Sequence, residues 1–315
     1  MIETAFTELL GISAPIQLAG MPGVTTPELI CAVADAGGLG MLGAAGAPFV
    51  TPDSLGKLLD EISGNTSGVF GVNFLMPFLE HDCVEVAASK SKLVEFFYGE
   101  PDAQLIERVH SLGALASWQV GSLEEAVAAE DAGCDFIAVQ GTEAGGHVRG
   151  ESCLLPLLSQ TLERVTIPVL AAGGIATHKD LAAVLACGAA GARIGTRFVV
   201  SEESGAHPAY VKALIEASAA DTSLTEVFSV LWPDAPHRVL TSAIDAAQTL
   251  TDEVVGETML FGQSYPVPRL SVLTPSIGGS GSIDAMALYA GESVSHINSV
   301  LSAADIMAEL VSGAG

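Results

Sequence analysis

The sequence predicts an α/β fold, a TIM-type (β/α)8 barrel with a small subdomain inserted after its eighth strand. Three observations carry this expectation. Eight short apolar segments recur between residues 15 and 195, helical stretches separate them, and the pattern breaks after Ser204. Apolar strands alternating with helices mark a parallel sheet covered on its outer side, and eight is the number that closes. A chain of 315 residues holds one such barrel, which needs about 250, together with an addition.

Residues 15–19 (PIQLA) form the first strand and end in Gly20-Met21-Pro22-Gly23, a loop that continues neither strand nor helix. Thr26 precedes Pro27, the preferred first residue of a helix. Leu29, Ile30, Val33 and Ala34 share one face of it before Gly37-Gly38 ends it. Strands follow at 39–42, at 69–74 with Asn73 near the carboxyl end, at 93–98 and at 114–120. Residues 123–132 (LEEAVAAEDA) make a short amphipathic helix, acids outward, with a glycine stop at 133. The sixth strand opens the stretch 136–149 (FIAVQGTEAGGHVR). The seventh, 169–172, runs into Gly173-Gly174-Ile175, and Thr177 can cap the next helix, with Leu181, Val184 and Leu185 inward. The eighth, 192–195, is followed by Thr196.

Beyond Ser204 a helix begins at His207-Pro208 and runs to Ala219. Weak periodicity and several prolines then predict an irregular or helical subdomain placed to roof the barrel mouth. Residues 278–282 (GGSGS) read as its hinge, and 284–290 and 302–311 as closing helices. The expected organisation is therefore a barrel over 1–215, a lid over 216–283 and closing helices over 284–315.

The chemistry gathers after strands six, seven and eight, since barrel enzymes work at the carboxyl ends of their strands. Gly141, Gly145 and Gly146 let the backbone approach a ligand, while Gln140, Glu143 and His147 bring an amide, a charge and a group titrating near neutrality. His147 is read either as catalytic or as a satisfied structural residue, and Glu143 either as catalytic or as a helix cap. Gly173-Gly174 and Gly195-Thr196 suit a phosphate dianion, with tight turns as the other reading. The Asn73 amide reads as a contact to a heterocycle edge or as a turn former. Residues 38–43 spell GxGxxG, but a helix precedes the glycines and a strand lies among them, the reverse of a dinucleotide-binding fingerprint. Cys153 near His147 raises a Cys/His hydrolase, against which its apolar context favours a packed thiol.

With 12 basic against 37 acidic residues and a formal charge of −25, the chain lacks the clustered cations that nucleic acid or an anionic membrane requires. Its apolar runs stay short of a membrane span of about 20 residues. No secretion signal is read at the amino terminus, and Asn65-Thr66-Ser67 reads as an ordinary turn. Five cysteines without a CxxC pair point to a reduced, cytoplasmic setting and to no zinc site. A homodimer is the default assembly, with no interface legible.

The segments PIQLAGMPGVTTPELICAVADAGGLGMLG, GVNF, VQGTEAGGH, PVLAAGGIA and IGTRFVVSEES, with LYAGESV near the end, resemble the nitronate monooxygenase family of FMN-dependent barrels. The resemblance implies oxidation of an alkyl nitronate by O2 to a carbonyl compound and nitrite. It makes His147 the catalytic histidine and Asn73 and Gln140 flavin contacts. Gly145 becomes part of the wall beside the ring, and Met21 backbone near it. Gly173, Gly174, Gly195 and Thr196 lie where the FMN phosphate is held. The family often carries Gln two residues before the GT pair, where this chain has Arg193, so an ionic contact is expected there. FMN-dependent enoyl reductases of fatty-acid synthesis and NAD(P)H:quinone reductases share the scaffold and stand as alternatives.

Overall fold

The protein is described by a computed structural model covering residues 2–44, 46 and 48–313. Eight parallel strands run in chain order around a barrel: Ile16–Leu18, Gly40–Ala44, Phe70–Leu75, Leu93–Phe97, Leu115–Val120, Phe136–Gln140, Val169–Ala172 and Gly191–Ile194. Each begins within two residues of its expected place. Closure comes from the first two strands, where Gln17 bridges Leu39 and the Leu18 and Leu39 amides donate to the Leu39 and Ile16 carbonyls.

Helices cover the outside, and their starts show why the chain turns where it does. The Thr26 hydroxyl accepts from the Leu29 amide ahead of Pro27–Asp35, and Thr177 and Asp180 form a reciprocal cap on His178–Ala186. A short amino-terminal helix, Ala5–Leu10, packs Phe6 edge-on against Phe136. The carboxyl-terminal helix Ala303–Val311, capped by Ser302, lies against Pro27–Asp35 and His178–Ala186.

Inside the barrel the usual apolar filling gives way to polar side chains. Gln17, Asn73, Glu95, Ser117, Gln119, Gln140 and Arg193 are all buried. Register explains their grouping, because Gln17 lies opposite Arg193 while Asn73, Glu95 and Ser117 sit side by side on three neighbouring strands.

Residues 216–283 are more regular than expected. Strands Thr222–Thr225 and His237–Leu240 pair antiparallel, and the latter also pairs with Gly146–His147 from the loop after strand six. A hairpin, Val254–Leu260 with Gln263–Pro268, takes Ser280–Gly281 as a third strand. Part of the expected hinge at 278–282, Ser280–Gly281, is therefore in a sheet: Gly281 holds a φ of 103°, and a Cβ on it would meet the Val255 carbonyl at 2.4 Å, so glycine serves both the backbone conformation and close packing. The helix expected at 284–290 is also absent. Only Ile283–Ala285 makes a 3-10 turn, and the chain then runs extended, with the Leu240 amide donating to the Leu288 carbonyl and the Ala290 amide to Arg238. Edge pairing and burial of Leu288 and Ala290 beside Tyr210, Phe228 and Val239 outcompete helix formation there.

Candidate active site

The cavity opens at the carboxyl ends of the strands. His147, Met21, Asn73, Gln140, Gly145, Gly173, Gly174, Arg193, Gly195 and Thr196 all line it, whereas Gly141, Glu143 and Cys153, also read from the sequence, do not. Their positions follow from the loops. Gly43, next to the end of strand two, lies under the first loop, where a Cβ would meet the Met21 amide nitrogen at 2.6 Å; only glycine lets Met21 lie so close.

One side of the cavity is a backbone cradle. Gly173 and Gly174 both have positive φ, 117° and 72°. The Thr196 hydroxyl accepts from the Gly291 amide at 3.1 Å, and a Cβ on Gly145 would meet Gly291 N at 2.4 Å. Glu143, beside this cradle, binds the Leu154 amide with both carboxylate oxygens, at 3.1 and 3.0 Å. It caps the helix Leu154–Leu162, the structural role that the sequence offered for it.

The floor is polar. Glu95 is fully buried and pairs with Arg193; its Oε1 accepts from Asn73 Nδ2 at 3.0 Å and its Oε2 from Gln17 Nε2 at 2.8 Å. Burial pushes the Arg193 guanidinium down to about 9, which leaves it charged at neutral pH. Gln140 Nε2 donates to the His147 carbonyl at 2.9 Å. The side-chain oxygens of Gln119 and Gln140 are buried without a partner. Buried orphans of this kind point to a polar ligand.

His147 sits in an aromatic nest. Its ring stacks on Trp232, with Tyr98, His237 and Tyr289 within 6.0 Å between ring centroids. Its Nε2 is buried and unpartnered. Burial, and secondarily His237, push it down to about 3, so the imidazole is neutral across the physiological range. His237 is itself tied: Nε2 accepts from the Phe228 amide at 3.2 Å, which leaves Nδ1 to donate to the Ala235 carbonyl at 2.8 Å. The roof adds Phe49, Phe78, Leu260, Val272 and Leu273. Cys153 is exposed, caps no amide with its side chain and lies outside the cavity, so it has no place in a Cys/His pair with His147.

Sequence reading missed Glu95, Gln119, Tyr98, Trp232, His237 and Tyr289. Glu95 was signalled by a charge inside the apolar run LVEFF, and Gln119 by a polar residue at a strand's carboxyl end. The four aromatic and imidazole groups carry no such local signal.

Fold and site together define a barrel enzyme of the oxidoreductase class, worked from the carboxyl face of its strands. The family model described as nitronate monooxygenase matches residues 3–82 and 79–313, and the chain belongs to that family. A probable nitronate monooxygenase of Staphylococcus saprophyticus is 32% identical over 72% of this chain and 77% of its own. One from Bacillus subtilis is 27% identical over 97% of both. Among solved structures, FabK from Thermotoga maritima superposes with a TM-score of 0.83 at 29% identity, covering 100% of this chain and 96% of that one. A nitroalkane oxidase from Streptomyces ansochromogenes gives 0.80 at 30% identity, covering 99% and 98%. No helix among the described residues is long and apolar enough to cross a membrane.

Proposed function

We propose that this enzyme binds FMN and oxidises alkyl nitronates with O2 to a carbonyl compound and nitrite. The observation that carries the reading is a single cavity joining a glycine cradle, unpartnered amide oxygens and a neutral histidine under an apolar roof. These residues fit the cofactor. Gly173, Gly174, Gly195 and Thr196 would hold its phosphate through backbone amides and a hydroxyl, and Gln119, Gln140 and Asn73 would meet the polar edge of its ring. Bound flavin supplies the electron transfer; the protein supplies position and field.

His147 acts on the substrate as a neutral group. An imidazole held near 3 is a weak base, so the site suits a substrate that arrives already as its anion and accepts a hydrogen bond. Arg193 is the sole Lys, Arg, Asp or Glu among the residues lining the cavity, and the roof is aromatic and aliphatic, which favours a small anionic head on a hydrocarbon body. We read residues 216–283, which supply Leu231, Trp232, Leu260, Val272 and Leu273 to that roof, as a lid on the barrel of 1–215, with 284–315 closing it. Five free thiols accord with a reducing cytoplasm.

A second reading, a pyridine-nucleotide-dependent reductase, is favoured by the FabK superposition. Its carrier-protein form needs a basic dock, yet seven of the twelve basic side chains are ion-paired: Lys57, Lys90, Arg108, Arg149, Arg193, Lys212 and Arg238. Turnover of propyl-2-nitronate under air tests the first reading. Nitrite and ketone in equal amounts support it, and their absence from flavin-loaded protein overturns it.

A further inference from the structure

An ion pair lies where a barrel interior ordinarily holds branched apolar side chains. Arg193 reaches the cavity from strand eight; Glu95, on strand four, lies behind it and does not reach the cavity. Both carboxylate oxygens are engaged, Oε1 by Arg193 and Asn73 and Oε2 by Gln17. It therefore fixes two groups that do face the cavity, the Arg193 guanidinium and the Asn73 amide. Stability does not explain the arrangement, because well-packed apolar residues are often as stable as a buried ion pair.

We propose that Glu95 is a positioning residue that sets the electrostatic field felt by a redox cofactor in this cavity, through Arg193. The inference rests on the flavin reading above. Two-electron reduction raises the electron density of the bound ring, and a cation in a dry, low-dielectric floor favours that state. Glu95, one layer further from the cavity, offsets part of the cation's charge while holding it in place. The pair thus gives the floor a graded positive field rather than a full one, which a lone arginine would not do. The Gln that the family often carries at the Arg193 position would supply no charge at all.

The test is the midpoint potential of the bound flavin, measured by dye equilibration under nitrogen for wild type, Glu95→Gln, and Glu95→Gln combined with Arg193→Gln. Glu95→Gln keeps the shape and removes the offsetting charge. It should move the equilibrium at least tenfold toward reduced flavin, about 30 mV for a two-electron couple. The double variant, with no charge in the floor, should fall below wild type. A merely structural pair would leave the potential unmoved. Flavin-loaded Glu95→Gln with the wild-type potential overturns the proposal. If Glu95→Gln does not fold, the neutral double variant decides: a potential below wild type supports the proposal and an equal one overturns it. Wild-type protein that takes up no flavin overturns the flavin reading and this inference together, a result distinct from loaded protein with unmoved potentials.

Discussion

His147 stacks face to face on Trp232, with ring centroids 3.9 Å apart and planes 22° from parallel. The two residues come from distant stretches of the chain, one from the loop after strand six and one from the segment added beyond the barrel. Leu231 and Asp234, on either side of the tryptophan turn, hold left-handed φ of 78° and 55°. Such backbone persists where packing over-determines it. The contact both buries His147 and ties the added segment to the loop after strand six.

Trp232→Ala should therefore admit water to His147 and let its pKa rise toward the ordinary 6.5. We expect an acid limb to appear in the pH profile of turnover between about pH 5 and 7. An NMR titration of the ring protons measures the same shift directly.

The depressed pKa of His147 also links stability to pH. Unfolded, the ring takes up a proton below about 6.5; folded, only near 3. The unfolded state binds more protons between these values, so stability is full above the upper one and falls as the pH drops. The slope per group is at most about 1.4 kcal/mol per pH unit. Burial lowers His237 in the same direction. Urea midpoints at pH 7.0, 5.5 and 4.5 should decline, and less steeply in His147→Asn.

Gly145→Ala should empty the site. Its Cβ would meet the Gly291 nitrogen at 2.4 Å and the Ala290 carbonyl carbon at 2.7 Å, backbone atoms that cannot swing aside. We expect at least tenfold weaker flavin retention, read from the absorbance of the purified protein, in a variant that still folds.

Glu143→Ala removes the cap on the Leu154 amide. Losing it should cost about 1 kcal/mol, on the order of two degrees in the melting temperature of a chain this size. Turnover per bound flavin should hold, and a hundredfold loss would return Glu143 to the chemistry.

The barrel was legible because burial on both faces forces apolar runs such as VLAA at 169–172, and glycine or a capping threonine marks nearly every turn. The cradle was legible for a related reason: close backbone approach admits only glycine. The roof was not. Gly146–His147 pairs with Arg238 and His237, and nothing local in either stretch announces a partner so distant in the chain. Residues 284–290 looked helical because their apolar spacing suits a helix, and tertiary pairing with the strand His237–Leu240 overrode it. Glu95 shows the opposite failure, a strong signal hidden in an element otherwise read correctly.

Oxidation of nitronates by bound flavin is tested most directly by adding substrates to the purified, flavin-loaded protein under nitrogen and following the flavin absorbance near its visible maximum. We expect the flavin to stay oxidised with NADH or NADPH and to bleach on addition of an alkyl nitronate. Rapid bleaching by a pyridine nucleotide, with none by the nitronate, would contradict the account and make the enzyme a reductase.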